Sequence, residues 1–267
     1  MSGTRILSPK MKSPKSNQPR RLEYNTLGDG VTAFSTLRDT TRADDPYGGF
    51  NACYYTHGDP SRVAACRHIL SAATHDSHIV MPRQQHTNLV AYIDSANAPD
   101  PEGVDALVTS LPGVALAINT ADCVPVLMAD STSGIIAAVH SGWRGTVGHI
   151  VRHTLDIMLA HGATYNNVKV VMGPSICSDC FEVGNEVAEQ FDREFGHGHD
   201  IVLTRPDWRR PHIDLRRAIA LDLIRAGLPA VNIDSSTAPC SHCNPADWWS
   251  ARRLGINSGR TTTLIVL

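Results

Sequence analysis

The chain has 267 residues, with 24 Lys and Arg against 26 Asp and Glu, a net charge of −2 and 42% hydrophobic residues. That is enough for one large domain or two small ones, with a core that needs no disulfide or metal staple. No apolar run approaches the roughly 20 residues of a membrane span, and after residue 22 roughly 18 basic face 26 acidic groups, so neither a membrane nor nucleic acid is an expected partner.

Residues 1–22 carry Arg5, Lys10, Lys12, Lys15, Arg20 and Arg21 among prolines and serines, with no acid and no apolar leader segment. This composition predicts a disordered basic tail, followed by one domain over 23–267. The seven cysteines are then expected as thiols or metal ligands in a reducing, cytoplasmic setting.

Residues 28–34 and the stretch around 53–55 read as short strands, separated by the turn-rich Asp44-Asp45-Pro46-Tyr47-Gly48-Gly49. Asp59 and Pro60 open a helix over 62–73. Strands are predicted at 79–81 and 89–93, on either side of Gln84-Gln85-His86, and then at 105–108 and 114–119. The best-ordered stretch on paper has strands at 124–129, 135–139 and 168–172 around a helix at 146–160. Val147, Ile150, Val151, Leu155, Met158 and Leu159 form the apolar stripe of that helix, which reads as core. Some neighbouring strands are joined too tightly for parallel crossovers, so a mixed sheet is expected. Helices at 184–195 and 215–226 follow, the second ending at Gly227.

Three segments each place a metal-ligating residue at the edge of an apolar strand: His86, Cys123 and His140. Two imidazoles and a thiolate make a three-ligand zinc set with an open fourth position. The same residues could instead form a Cys–His nucleophile pair, and sequence does not separate the two. His140 runs into Ser141-Gly142-Trp143-Arg144-Gly145, a turn entering a helix, where anions are commonly held. Arg144 could grip a phosphate or carboxylate bidentately, or pair with Asp122. Two CxxC pairs, Cys177 with Cys180 and Cys240 with Cys243, suggest a four-thiolate site, but they lie roughly 60 residues apart, outside the usual 15–20. Buried free thiols fit them at least as well. Arg252 and Arg253, after Trp248-Trp249, add cations beside aromatic rings.

These segments resemble the family of laccase-domain proteins, also called multicopper polyphenol oxidases or zinc-dependent purine nucleoside phosphorylases. The resemblance rests on PYGGFN (46–51), Gln84 and His86, TADCVPVL, HSGWRG, MGP with Cys180-Phe181-Glu182-Val183-Gly184, Cys240 with Cys243, and SARR with Gly259-Arg260. It implies an α+β single-domain sandwich of mixed sheets flanked by helices. It also implies His86, Cys123 and His140 as zinc ligands, and Asn51, Arg67, Gln84, Arg252 and Arg253 as substrate-binding groups, with Cys123, His140 and Arg144 at the chemistry. Gln85, Thr87, Ala52, Cys53, Tyr55 and Leu254 depart from the family's usual residues. Similar sequences manage without Cys177, which lowers the weight of a four-thiolate site.

The activity implied is phosphorolysis of adenosine, inosine or guanosine to base and ribose-1-phosphate, with adenosine deamination beside it, in a monomer or small homo-oligomer. Copper-dependent phenol oxidation is the alternative in the family's older name, although it needs a Cys/His/Met centre and more paired histidines than this chain offers. A Cys/His hydrolase of a cell-wall precursor amide and a non-enzymatic adaptor with a structural metal are further alternatives. The adaptor is disfavoured by an open three-ligand site, since structural zinc usually takes four protein ligands.

Overall fold

In this computed structural model the residues described are 18–235 and 238–267. The chain begins with β1 (Arg21–Glu23) and β2 (Thr32–Thr36), then α1 (Pro60–Ala73), β3 (His78–Val80), β4 (Val90–Ile93), β5 (Ala106–Thr109) and β6 (Val114–Thr120). It continues through β7 (Val124–Asp130), β8 (Ile135–Ser141), α2 (Trp143–Val147), α3 (Ile150–Ala160), β9 (Lys169–Met172) and α4 (Asn185–Phe195). The last elements are β10 (Val202–Leu203), β11 (His212–Ile213), α5 (Leu215–Arg225), β12 (Ile233–Asp234), α6 (Ala251–Leu254) and β13 (Thr261–Val266).

Two mixed sheets stack face to face. One has the order β1-β2-β13-β6-β3 and the other β12-β9-β7-β8-β5-β4, while β10 and β11 form a separate ribbon. The tight β7–β8 connection makes an antiparallel pair, as the short link requires, whereas β3 lies parallel to β6 and β4 parallel to β5. The C-terminal strand β13 is inserted between β2 and β6, antiparallel to both.

Every residue of β6, β7 and β8 is buried, on both faces of its sheet. Alternation sorts them: Leu127, Ala129, Ile136 and Ala138 face the other sheet, where they meet Leu116, Ile118 and Ile265. Val124, Val126, Met128, Ala137 and Val139 face outward onto Leu155, Met158, Phe191 and Ile219 of α3, α4 and α5. On the far side Phe34, Ala117 and Leu264 pack under Leu70 and Ala73 of α1. The result is a helix–sheet–sheet–helix sandwich, which explains why these strands read as continuous apolar runs.

Several details depart from expectation. Residues 54–56 form a 3₁₀ turn instead of the expected strand. The helix expected at 146–160 is two helices, broken where His149 adopts φ +58°. Its ring there reaches Asp222 at 3.0 Å and Glu194 at 3.3 Å, a tertiary attraction that local propensity does not encode. Asp59 caps α1 through Ser61 and Arg62 N–H groups, and Gly227 takes φ +105° after α5, both as expected. Most of the tail expected over 1–22 falls outside the described residues, and its last two, Arg21 and Leu22, lie in β1. No helix among the described residues is long and apolar enough to cross a membrane.

Candidate metal and substrate site

The site is built where the chain crosses between the two sheets. β6 belongs to one sheet and β7 to the other, and the three residues between them, Ala121-Asp122-Cys123, make the crossing. So short a corner forces Asp122 to φ +94°, a conformation that Asp tolerates better than bulkier residues. Its carboxylate is pinned in place: Oδ1 accepts the Ser241 hydroxyl at 2.7 Å and Oδ2 the Arg252 N–H at 2.7 Å. Cys123 therefore projects from a fixed corner. His140 arrives at the end of β8, in register with Pro125 of β7, and His86 projects from the loop after β3 with φ +60°.

The donor atoms of His86, Cys123 and His140 lie within 4.8 Å of one another. Cys123 Sγ is 3.8 Å from His86 Nε2, and the two imidazoles meet edge to face with centroids 4.8 Å apart. Asp105, fully buried, holds the group together. Its Oδ1 bonds His140 Nδ1 at 2.7 Å and accepts the His86 N–H at 3.0 Å, while Oδ2 accepts the Gln85 and Thr87 N–H groups and the Thr87 hydroxyl. One carboxylate thus fixes the His140 tautomer, leaving Nε2 for the cavity, and shapes the loop that carries His86.

Charge is unevenly distributed over this group. Burial alone would raise the Asp105 carboxyl, but the His140 ring and then Thr87 outweigh it and bring the carboxyl down to about 2. Burial likewise opposes the Cys123 thiolate, yet His140 and then His86 lower that thiol to about 6. His140 is raised to about 9 against its own burial, by Cys123 and then Asp105. The trio is a ready thiolate–imidazole set, which suits a cation. Tetrahedral zinc with Zn–N near 2.0–2.1 Å and Zn–S near 2.3 Å needs donors about 3.3–3.8 Å apart, so small side-chain movements from this arrangement suffice.

Above the trio lies a cavity of about 590 Å³, and the residues lining it include Tyr55, Gln84, Asn119, Phe181, Arg252 and Arg260. Gln84 is held by the Asn119 backbone at both ends of its amide and by the Tyr55 hydroxyl at 3.1 Å. Arg252 lies 5.5 Å over the Phe181 ring and donates to the Glu182 carbonyl.

The residues singled out in the sequence do not all reach this cavity. His86, Cys123, His140, Gln84 and Arg252 line it. Asn51 is buried against a smaller cavity of about 210 Å³, its Oδ1 accepting the Arg260 and Cys53 N–H groups. Arg67 lines an adjoining cavity of about 370 Å³ that shares Tyr55, and it pairs there with Asp100 at 3.2 Å. Arg253 donates to the Ser241, His242 and Trp248 carbonyls. Arg144 is exposed, its guanidinium 4.3 Å over the Trp143 ring, while Asp122, its alternative partner on spacing, is engaged by Ser241 and Arg252.

Asp105 and Asn119 belong to the site although the sequence did not single them out, and Arg260, which enters there only among the residues of the resemblance, lines the cavity. Asp105 left one signal, an acid directly before an apolar strand, where a buried charge demands a partner. Asn119 gave none, because its role follows from strand pairing.

The profile of the family described as multi-copper polyphenol oxidoreductase laccase matches residues 32–267. An adenosine deaminase from a prokaryotic organism of unknown identity is 46% identical over 253 residues, covering 91% of this chain and 96% of that protein. A purine nucleoside phosphorylase of Bacteroides thetaiotaomicron is 35% identical over 261 residues, covering 93% and 96%. Among solved structures, the Bacillus licheniformis protein YfiH superposes with a TM-score of 0.84 at 23% identity, covering 95% of this chain and 98% of its own.

Proposed function

The chain belongs to the multi-copper polyphenol oxidoreductase laccase family, and on that premise we propose that it is a purine nucleoside phosphorylase with adenosine deaminase activity, served by zinc at His86, Cys123 and His140. The observation that carries the reading is the convergence of these three side chains, from three separate segments, on the floor of a cavity lined by cationic, amide and aromatic groups. The named activities of the relatives supply the substrate class.

The donor set suits a single zinc better than several coppers. Among the described residues two groups of metal-ligating side chains converge, this trio and four cysteines, so two histidines serve both groups together. Multicopper oxidation needs many more. Zinc at this site would supply a Lewis acid with an open position, able to acidify a water or polarise a substrate oxygen.

The chain's own residues do the rest. In phosphorolysis the C1′–N9 bond breaks, a phosphate oxygen bonds to C1′, and the departing purine takes a proton. Negative charge is brought to the site by phosphate and grows on the base, so fixed cations and positioning lower the barrier. Arg252 and Arg260 supply those cations at the cavity wall. The Phe181 ring offers a face for the purine, and the interlocked Tyr55, Gln84 and Asn119 offer donors and acceptors in fixed directions. In deamination water adds at C6 and ammonia leaves, and the same base-holding wall would serve. Arg144, Asn51, Arg67 and Arg253 act at a remove in this reading: Arg144 through its exposed position at the helix entrance, and the others by bracing the walls. Phosphate as second substrate, a monomer or small homo-oligomer and a cytoplasmic location complete the proposal.

The test is incubation of zinc-loaded protein with adenosine, with and without phosphate, and identification of products by mass. Adenine with ribose-1-phosphate only when phosphate is present, and inosine in either case, are the expected results. Adenosine returned intact would overturn the reading. His140→Ala is expected to lose zinc and turnover together.

A further inference from the structure

The four cysteines of the two CxxC pairs meet in space. Cys177, Cys180, Cys240 and Cys243 place their sulfurs within 4.8 Å of one another, with Cys180 and Cys243 at 3.4 Å. We propose that they form a second metal site, a four-thiolate structural zinc that clamps one wall of the substrate cavity. A tetrahedral zinc with Zn–S of 2.3 Å needs sulfurs about 3.8 Å apart, which these already approach. A disulfide needs about 2.05 Å.

Sequence spacing concealed the site because the two pairs sit on opposite sides of α4 and α5, and the fold returns the chain to close the gap. The return is a pairing of backbones: Ser175 and Cys240 form a parallel bridge, with Ser175 N–H donating to Pro239 O and Ser241 N–H to Ser175 O. Arg216 of α5 staples the same two segments, donating to the Ser175 hydroxyl and carbonyl and to the carbonyls of Ala238 and Pro239. The cysteines are thus brought together by structure that does not depend on their own bonding.

Two features point to metal-bound thiolates. The Cys177 N–H donates to Cys240 Sγ at 3.3 Å, a bond that stabilises a charged sulfur. Binding of Zn²⁺ with release of four thiol protons leaves a net charge of about −2, and two guanidiniums stand ready to balance it. Arg216 donates to the Ser175 and Pro239 carbonyls, just before the two pairs, and Arg253 to the Ser241 and His242 carbonyls, between Cys240 and Cys243. With four protein ligands the site is closed, as structural zinc sites are.

Its position gives it a task. Ile176 and Phe181, flanking the first pair, line the substrate cavity, and Ile176 N–H donates to Asp122 O. Ser241, next to Cys240, holds the Asp122 carboxylate beside Cys123. Joining the pairs would fix the wall that Phe181 presents and the corner that presents Cys123, and would close a long loop, where cross-links restrain the unfolded chain most.

The inference stands apart from nucleoside turnover and is tested by metal content. Full-length protein purified under reductant without chelator is expected to hold two zinc ions per chain, with sulfur dominating the X-ray absorption shell. His140→Ala should retain one, in an all-sulfur shell near 2.3 Å. Cys180→Ser and Cys243→Ser should retain one in a mixed nitrogen and sulfur shell and melt at lower temperature. Because those variants could misfold, the wild-type stoichiometry and shell decide independently. A single zinc in a mixed shell, iron in its place, or a Cys180–Cys243 disulfide found by mass spectrometry of the alkylated protein would each overturn the proposal.

Discussion

Asp105 organises the cluster of His86, Cys123 and His140 without lining the cavity above it. It is fully buried, and its two oxygens accept from His140 Nδ1, three backbone N–H groups and the Thr87 hydroxyl. Replacing it with Asn would leave a charge-assisted bond to His140 as a neutral one and turn an amide donor toward N–H groups that need acceptors. Partners of this kind typically contribute 10–100-fold to metal affinity. Asp105→Asn is therefore expected to lower zinc affinity at the trio about 10–100-fold, read by competition with a chromophoric chelator. Unchanged affinity would show that His140 is oriented by its strand alone.

At the scale of elements, the site depends on how closely β8, the β6–β7 corner and the β3 loop approach at Gly142. This glycine has φ −76° and ψ 173°, which any residue can adopt, so its need is spatial. A Cβ there would lie 3.0 Å from Cys123 Sγ and 3.0 Å from His86 Cδ2, tighter than ordinary packing allows. Gly142→Ala is expected to push the two ligands apart and weaken zinc retention at least about tenfold, with the circular dichroism spectrum of the fold unchanged. Equal retention in the two proteins would mean that the ligand side chains yield freely. The broken helix after this turn makes a related point: α2 is capped by Gly148, a residue that ends helices, while the partners His149 finds at the break, Asp222 and Glu194, are announced by no local pattern.

For the whole molecule, the N-terminal and C-terminal segments are joined at several places. β13 is paired with β2 through Leu264 opposite Phe34, and Arg38 ties the loop after β2 to the segment that precedes α6. The Arg38 guanidinium lies 4.2 Å over Trp249 and donates to the carbonyls of Arg42, Ala43, Asp45, Gly48 and Pro245. Removing it would leave several inward carbonyls without a donor, at about 1–3 kcal/mol for each that water does not reach. Arg38→Ala should destabilise the protein by more than about 3 kcal/mol in urea denaturation. A smaller loss would show that water replaces the guanidinium in that loop.

The sequence by itself pointed to the family and to mixed sheets, and it named His86, Cys123 and His140, whose donor atoms the fold brings within 4.8 Å of one another. Apolar runs too short for a membrane and too long for a surface mark β6 to β8 as buried, and the blocks around Cys123 and His140 are distinctive strings. Only the tertiary structure decided which residues share the site. Gln84 and Arg252 reach the cavity while Asn51 and Arg253 turn to backbone partners, and Asp105 joins from the loop just before β5, which nothing in its spacing connects to His140. It also brought together four cysteines whose roughly 60-residue separation argued against them. The reason is the same in each case: side-chain direction at a strand end or loop depends on register and on partners distant in the chain, and these exist only once the two sheets have closed on each other.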